Sequence, residues 1–211
     1  MDLLQRRERD GRLLSETDIE RAAARLGVPL ASIKAVNTVE SNGRGFLDDG
    51  RPVILYERHV AHRLMSEIGA DAEALAARFP NVINRARGGY VGGAAEWSRL
   101  ATARQVLDQH FGIPEESCSW GQFQIMGYHW RDLGYAGIGE FVDAMRQSEA
   151  AQLDAFCRFI EAAPALLKAL KARKWTDFAR LYNGPAYKEN LYDVKLARAF
   201  ERYSPPVKAT A

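Results

Sequence analysis

The sequence predicts a mainly α-helical domain with one small β-hairpin, and three observations carry that expectation. Apolar residues recur at helical spacing through most of the 211 residues. One strong turn signal, Asp49-Gly50, precedes Val53-Ile54-Leu55-Tyr56, a β-branched and aromatic run suited to the return strand of a hairpin. The longest stretch without periodicity, 81–93, lies between helical segments and carries Gly88-Gly89 and Gly92-Gly93 on either side of Tyr90. A loop of that length in a compact domain is either a plain connector or part of a site, and both readings stay open.

Composition sets the bounds. Hydrophobic residues make up 47% and charged residues 27% of the chain, enough for one sizeable core. The expected organisation is an arm and bracing helix over 1–29, a main domain over 30–203 and a tail over 204–211. Arg6, Arg7 and Arg9 have no apolar run behind them, so no signal peptide and no stable membrane insertion are expected. Cys118 and Cys157 stand far apart without a Cys-x-x-Cys or Cys/His cluster, which favours free thiols over a disulfide or a zinc site. His59 and His62, three apart, lack an evident third ligand, so neither metal nor cofactor is expected.

The elements follow in order. Thr17-Asp18-Ile19-Glu20 suggests a capping box, and the helix it opens should stop at Gly27. Pro29 suits the first turn of the next helix, in which Ile33, Val36 and Val39 repeat up to Glu40. After the hairpin, Glu57 opens a helix with Val60, Leu64 and Ile68 at intervals of four, and 72–79 forms a short one stopped by Pro80. A helix over 94–109 places Trp97, Leu100, Ala101, Arg104 and Leu107 on one side. The remainder is helical over 138–147, 149–161, 165–173, 176–182 and 188–202, with a turn at Tyr182-Asn183-Gly184-Pro185.

Glu40 ends an apolar helix and is followed at once by Ser41, Asn42, Gly43 and Gly45, so this carboxylate sits where a packed element meets an open loop. Burial raises the pKa of a carboxyl group, which is what a general acid near neutral pH requires. A second segment, 117–127, is bounded by glycines and crowded with Trp120, Gln122, Phe123 and Gln124. Its amides either satisfy backbone groups in a core, the stronger reading for the segment alone, or point into a sugar-binding groove. Net charge is only +2, but ten Lys or Arg against four acids follow Pro164. That excess favours an anionic partner, a bacterial envelope or a nucleic acid, although a solvated helical face is the simpler account of any single residue.

Four motifs together resemble a known family: Glu40-Ser41-Asn42-Gly43-Arg44-Gly45-Phe46, Leu55-Tyr56-Glu57-Arg58-His59, residues 119–127 as Ser-Trp-Gly-Gln-Phe-Gln-Ile-Met-Gly, and residues 178–187 as Phe-Ala-Arg-Leu-Tyr-Asn-Gly-Pro-Ala-Tyr. In that order they are similar to the N-acetylmuramidase family found in endolysins of phages of Gram-negative bacteria. They also echo goose-type lysozymes and soluble lytic transglycosylases. The resemblance implies a lysozyme-like α+β fold and cleavage of the β-1,4 bond between N-acetylmuramic acid and N-acetylglucosamine. It implies peptidoglycan glycan strands as the partner rather than nucleic acid, a monomer, and residence in the host cytoplasm until release to the wall.

Glycosidic cleavage needs one carboxylic acid for the leaving oxygen and usually a second carboxylate. Glu40 is the expected acid. Glu57 is the candidate for the second role, beside Asp48 and Asp49, whose place at a turn needs no catalytic explanation; Glu57 could equally pair with Arg58 or cap the following helix. Tyr56, His59, Trp120, Gln122, Gln124, Tyr182 and Asn183 are the expected substrate contacts. Hydrolysis, a transglycosylase route giving 1,6-anhydro ends, and a non-catalytic glycan-binding or tail-associated module all stay open, with the intact Glu40 motif favouring an enzyme.

Overall fold

The structure, a computed structural model, describes residues 11–40, 44–107, 110 and 112–205, with the side chains of Glu40, Pro185 and Ala186 outside that description. The expected arm over 1–10, the loop residues Ser41, Asn42 and Gly43, and the end of the tail lie outside the described residues. The architecture is mainly helical with a small antiparallel sheet, as the periodicity predicts. By its internal contacts the chain divides into two compact units, one made of Met1–Gly43 and Leu153–Ala211, the other of Arg44–Gln152.

The first unit opens with α1 (Glu16–Leu26) and α2 (Leu30–Glu40). The cap of α1 lies two residues earlier than the motif suggested. Ser15 is the N-cap, its hydroxyl accepting from the Asp18 amide while Asp18 reaches back to the Ser15 N–H. Aspartate thereby does the work expected of Glu20, because its shorter side chain suits a box that starts at Ser15. Gly27 ends the helix in the left-handed conformation at φ 63°, which costs glycine no Cβ clash. Helix α2 buries Ala31, Ser32, Ile33, Ala35 and Val36, so apolar contact surrounds most of it. It packs against α1 and against α11 (Tyr192–Tyr203), where Thr38 Oγ1 meets Tyr203 Oη at 2.9 Å.

Helices α9 (Pro164–Lys171) and α10 (Trp175–Asn183) complete this unit with most of α8 (Glu149–Ala162). Arg25 on α1 grips Asp154 and Glu161 on α8 at 2.6 Å each. The Lys171 ammonium packs on Gly27, where it meets the carbonyl end of α1. Lys171 is nevertheless exposed, as are Lys168 and Lys174. Those two, with Arg180, Asp177, Leu181 and small alanines, line a hollow of about 310 Å³.

The second unit is built on the sheet β1 (Ile54–Tyr56), β2 (Cys118–Trp120) and β3 (Ile125–Met126), in that order and antiparallel. The expected hairpin is reduced to its turn. Phe46 and Pro52 form an isolated bridge around Asp49-Gly50, and β1 pairs instead with β2, Tyr56 opposite Cys118. The reason is apolar burial: Ile54, Tyr56 and Trp120 all enter the core, and Trp97 of α5 (Ala95–Val106) meets Trp120 edge-on at 5.8 Å. On α5 the buried face is Trp97, Leu100 and Ala103, with Ala101 and Arg104 turned to solvent. Helices α3 (Arg58–Glu67), α4 (Ala72–Arg78), α6 (Ile113–Glu116) and α7 (Ile138–Gln147) complete this unit, with α6 packed on β2. Both cysteines are free and fully buried. Among the described residues no helix is long and apolar enough to cross a membrane.

Candidate active site

The two carboxylates singled out by sequence belong to different units. Glu40 is the last residue of α2, so its backbone stands at the end of a buried helix; its side chain lies outside the described residues. In the second unit the chain continues at Arg44 and Gly45. The Gly45 N–H donates to Glu149 Oε1 at 2.9 Å, and its carbonyl accepts from Gln152 Nε2 at 3.3 Å. Gln152 is itself 1% exposed and also receives the Gln122 N–H at 2.7 Å and donates to the Met145 carbonyl at 2.9 Å. One buried amide thus ties the strand-approach segment at Gly45 to the turn between β2 and β3.

Glu57 follows β1 directly and is the N-cap of α3 without making a side-chain cap bond. Its N–H donates to the Ser117 carbonyl at 2.8 Å, which fixes the backbone. Neither simple alternative for its side chain is realised. Arg58 turns away to the carbonyls of Pro80, Ala86 and Arg87, and Glu57 Oε2 accepts the Tyr90 hydroxyl at 2.6 Å. His59 Nδ1 lies 3.1 Å from the same oxygen, an ion-pair distance without the alignment of a hydrogen bond. Burial lowers the His59 imidazole below its ordinary 6.5, Glu57 pulls the other way without reversing it, and Arg87 and Arg63 add to the depression. The ring is therefore neutral at neutral pH. Burial and then the Glu57 carboxylate push the Tyr90 phenol up to about 12, so it remains a hydrogen-bond donor.

Glu96 explains how Tyr90 comes to be there. This glutamate is 0% exposed and accepts from the backbone N–H groups of Tyr56, Val91 and Gly92 and from Arg99 Nη1, at 2.8–3.0 Å. Burial pushes its carboxyl up, but the Gly92, Val91 and Tyr56 amides and the Arg99 guanidinium more than offset it and hold the group below its ordinary 4.5. One carboxylate therefore joins the residue before Glu57 to the two residues after Tyr90. The stretch 81–93 is a pinned loop over β1 and not a plain connector.

Of the expected substrate contacts in this unit, Tyr56, Trp120 and Gln122 are buried by their packing, whereas Gln124 is partly exposed. Tyr56 and Trp120 are 0% exposed, with the Tyr56 hydroxyl on the Val82 carbonyl and the Trp120 indole N–H on the Glu115 carbonyl. Gln122 is buried in the turn. Gln124 accepts from Ser119 Oγ at 2.7 Å and donates to the Gly121 carbonyl at 2.8 Å, so its amide closes the β2–β3 turn. These residues hold the sheet that carries Glu57; the core reading of 117–127 is the one realised. In the first unit Tyr182 is partly exposed, stacked on Phe178 at 5.6 Å and edge-on to Phe156 and Phe159, while Asn183 ends α10 beside it. His62 faces Glu73 at 3.0 Å, and among the described residues no group of three or more His, Cys, Asp or Glu side chains is arranged to hold a metal.

Compared with known proteins, residues 29–204 match the N-acetylmuramidase family model, Muramidase. The chain belongs to the N-acetylmuramidase family. It is a glycoside hydrolase of the lysozyme type and a peptidoglycan-degrading endolysin. Its structure is similar to the crystal structure of the Burkholderia AP3 phage endolysin, with a TM-score of 0.85 and 56% identity, covering 91% of this chain and 72% of that one. No curated protein sequence matches. The muramidase match takes in Glu40, Glu57, Tyr90 and Glu96 alike. Sequence reasoning missed Glu96, Glu149 and Gln152. The one local signal for Glu96 was an acid placed just after Gly92-Gly93 and three residues before Arg99.

Proposed function

We propose that this muramidase hydrolyses the β-1,4 bond between N-acetylmuramic acid and N-acetylglucosamine, with Glu40 as general acid and Glu57 as the second carboxylate. The observation that carries this reading is the environment of Glu57: one of its oxygens meets a neutral hydroxyl donor and a neutral imidazole, in a family whose model spans both glutamates. A carboxylate so placed is fit to act as a nucleophile or as the base for a water, the role a hydrolase needs beyond its acid. His59, Gln124, Tyr182 and Asn183 are the proposed glycan contacts that remain at partly exposed positions.

Host lysis at the end of phage growth is the proposed biological role, with the protein held in the host cytoplasm as a monomer and then acting on the wall. The basic region after Pro164 is proposed to dock on anionic envelope polymer through Lys168, Lys174 and Arg180, which line the hollow in the first unit together with Asp177. Mass spectrometry of muropeptides from digested peptidoglycan tests the reaction. Reducing N-acetylmuramic acid ends are the expected product; 1,6-anhydro ends would replace hydrolysis by transglycosylation, and intact sacculi would leave a binding module.

A further inference from the structure

The route from Glu96 to Glu57 runs through a loop that sequence alone leaves open between connector and site. Tyr90 is 45% exposed, and the glycines at 88, 89, 92 and 93 that flank it all adopt positive φ. Such a segment has little packing of its own to fix a side chain. Its position comes from polar anchors on both sides. Arg58 holds the Ala86 and Arg87 carbonyls at 2.9 Å, and Glu96 Oε1 holds the Val91 and Gly92 amides at 2.8 and 3.0 Å. The other Glu96 oxygen holds the Tyr56 N–H at 3.0 Å, one residue from Glu57. Loop and carboxylate are thus referenced to a single buried group.

We propose that Tyr90 is a positioning residue for catalysis: its hydroxyl, set by the Glu96 clamp, fixes the orientation of the Glu57 carboxylate. The proposal rests on Glu57 being the second carboxylate. A hydroxyl donating to a carboxylate at 2.6 Å is a charge-assisted hydrogen bond, stronger than a neutral one and selective for the ionised acceptor. The titratable groups facing Glu57 are Tyr90 and His59, with Arg87 and Arg63 beyond them adding positive charge. His59 is neutral and misaligned for a hydrogen bond, which leaves Tyr90 as the donor that orients the acid.

The test is kcat/KM against pH on soluble uncrosslinked peptidoglycan strands for the full chain, Tyr90→Phe, Glu57→Gln and the double variant. Removing one exposed hydroxyl leaves the fold intact, which an unchanged urea midpoint checks. Tyr90→Phe should lower kcat about tenfold with little change in KM, the size of one charge-assisted hydrogen bond. In the Glu57→Gln background the same change should add no further loss. Full activity of a folded Glu57→Gln variant would remove the catalytic assignment and the proposal together. An inactive Glu57→Gln beside a Tyr90→Phe profile that matches wild type at every pH would overturn the proposal alone, as would full additivity of the two substitutions.

Discussion

Gln152 approaches Gly45 so closely that a methyl group on that glycine would overlap its carboxamide oxygen. Gly121, at φ 70°, faces the same amide, and a Cβ there would lie 2.5 Å from its carbon. Gln152 can join Gly45 to Gln122 only because both approaches are made by bare backbone.

Gly45→Ala is therefore expected to destabilise the protein by about 1–3 kcal/mol, the usual cost of overpacking a closed site. Chemical denaturation measures it. In a Gln152→Ala background the amide is gone and only Glu149 Cγ, 2.8 Å from the methyl position, still crowds it, so the same methyl should cost less; equal costs in both backgrounds would show that the glycine is required for another reason.

Glu96 gives a pH signature. Its folded pKa lies below the ordinary 4.5, so its contribution to stability is complete above that value and is lost as pH falls from 4.5 through the folded pKa. The urea midpoint should fall with acidification in that window. Glu96→Gln should remove part of the slope and cost about 3–5 kcal/mol at neutral pH, since Arg99 is left buried without its counter-charge. A variant as stable as wild type and as acid-sensitive would show that the clamp is not the group responsible.

Glu40→Gln should retain the fold and lose about 10²-fold or more of its activity on purified sacculi, the loss expected when a proton donor is removed. Undiminished lysis by the folded variant would move the acid role elsewhere.

Lys168→Gln with Lys174→Gln should weaken sacculus binding and flatten its salt dependence, because exposed charges act over only ~8–10 Å at physiological salt. Turnover of a short chitooligosaccharide should not change. Lys171→Gln should behave differently, with sacculus binding retained and about 0.3–1 kcal/mol of stability lost at the carbonyl end of α1. Equal binding by wild type and the Lys168/Lys174 variant would reduce this face to solvated charge.

The helices were legible because their apolar residues repeat at one period and their ends carry local punctuation. Gly27 and Pro80 stop helices where the sequence expects, and α7 runs over the predicted 138–147. The sheet was less legible. Nothing local in Ile54, Leu55 and Tyr56 says that their partner lies more than sixty residues away at 118–120, because strand pairing is settled by tertiary burial. The same limit applies at the site. Glu57 stands out by its motif, whereas Tyr90 and Glu96 matter only through distances across the fold. Trp120 and Tyr56 stay open between sugar platform and core until their polar tips are found on backbone carbonyls.

Cys118 and Cys157 are 0% and 2% exposed, and burial raises both thiols, the second to about 12. Thiolate is the form that reacts with oxidants and attacks disulfides, so neither sulfur offers a foothold for exchange. Moved from reducing to oxidising surroundings, the protein would thus keep one covalent structure throughout. Its activity should be the same in the presence of a reductant or of a mild thiol oxidant.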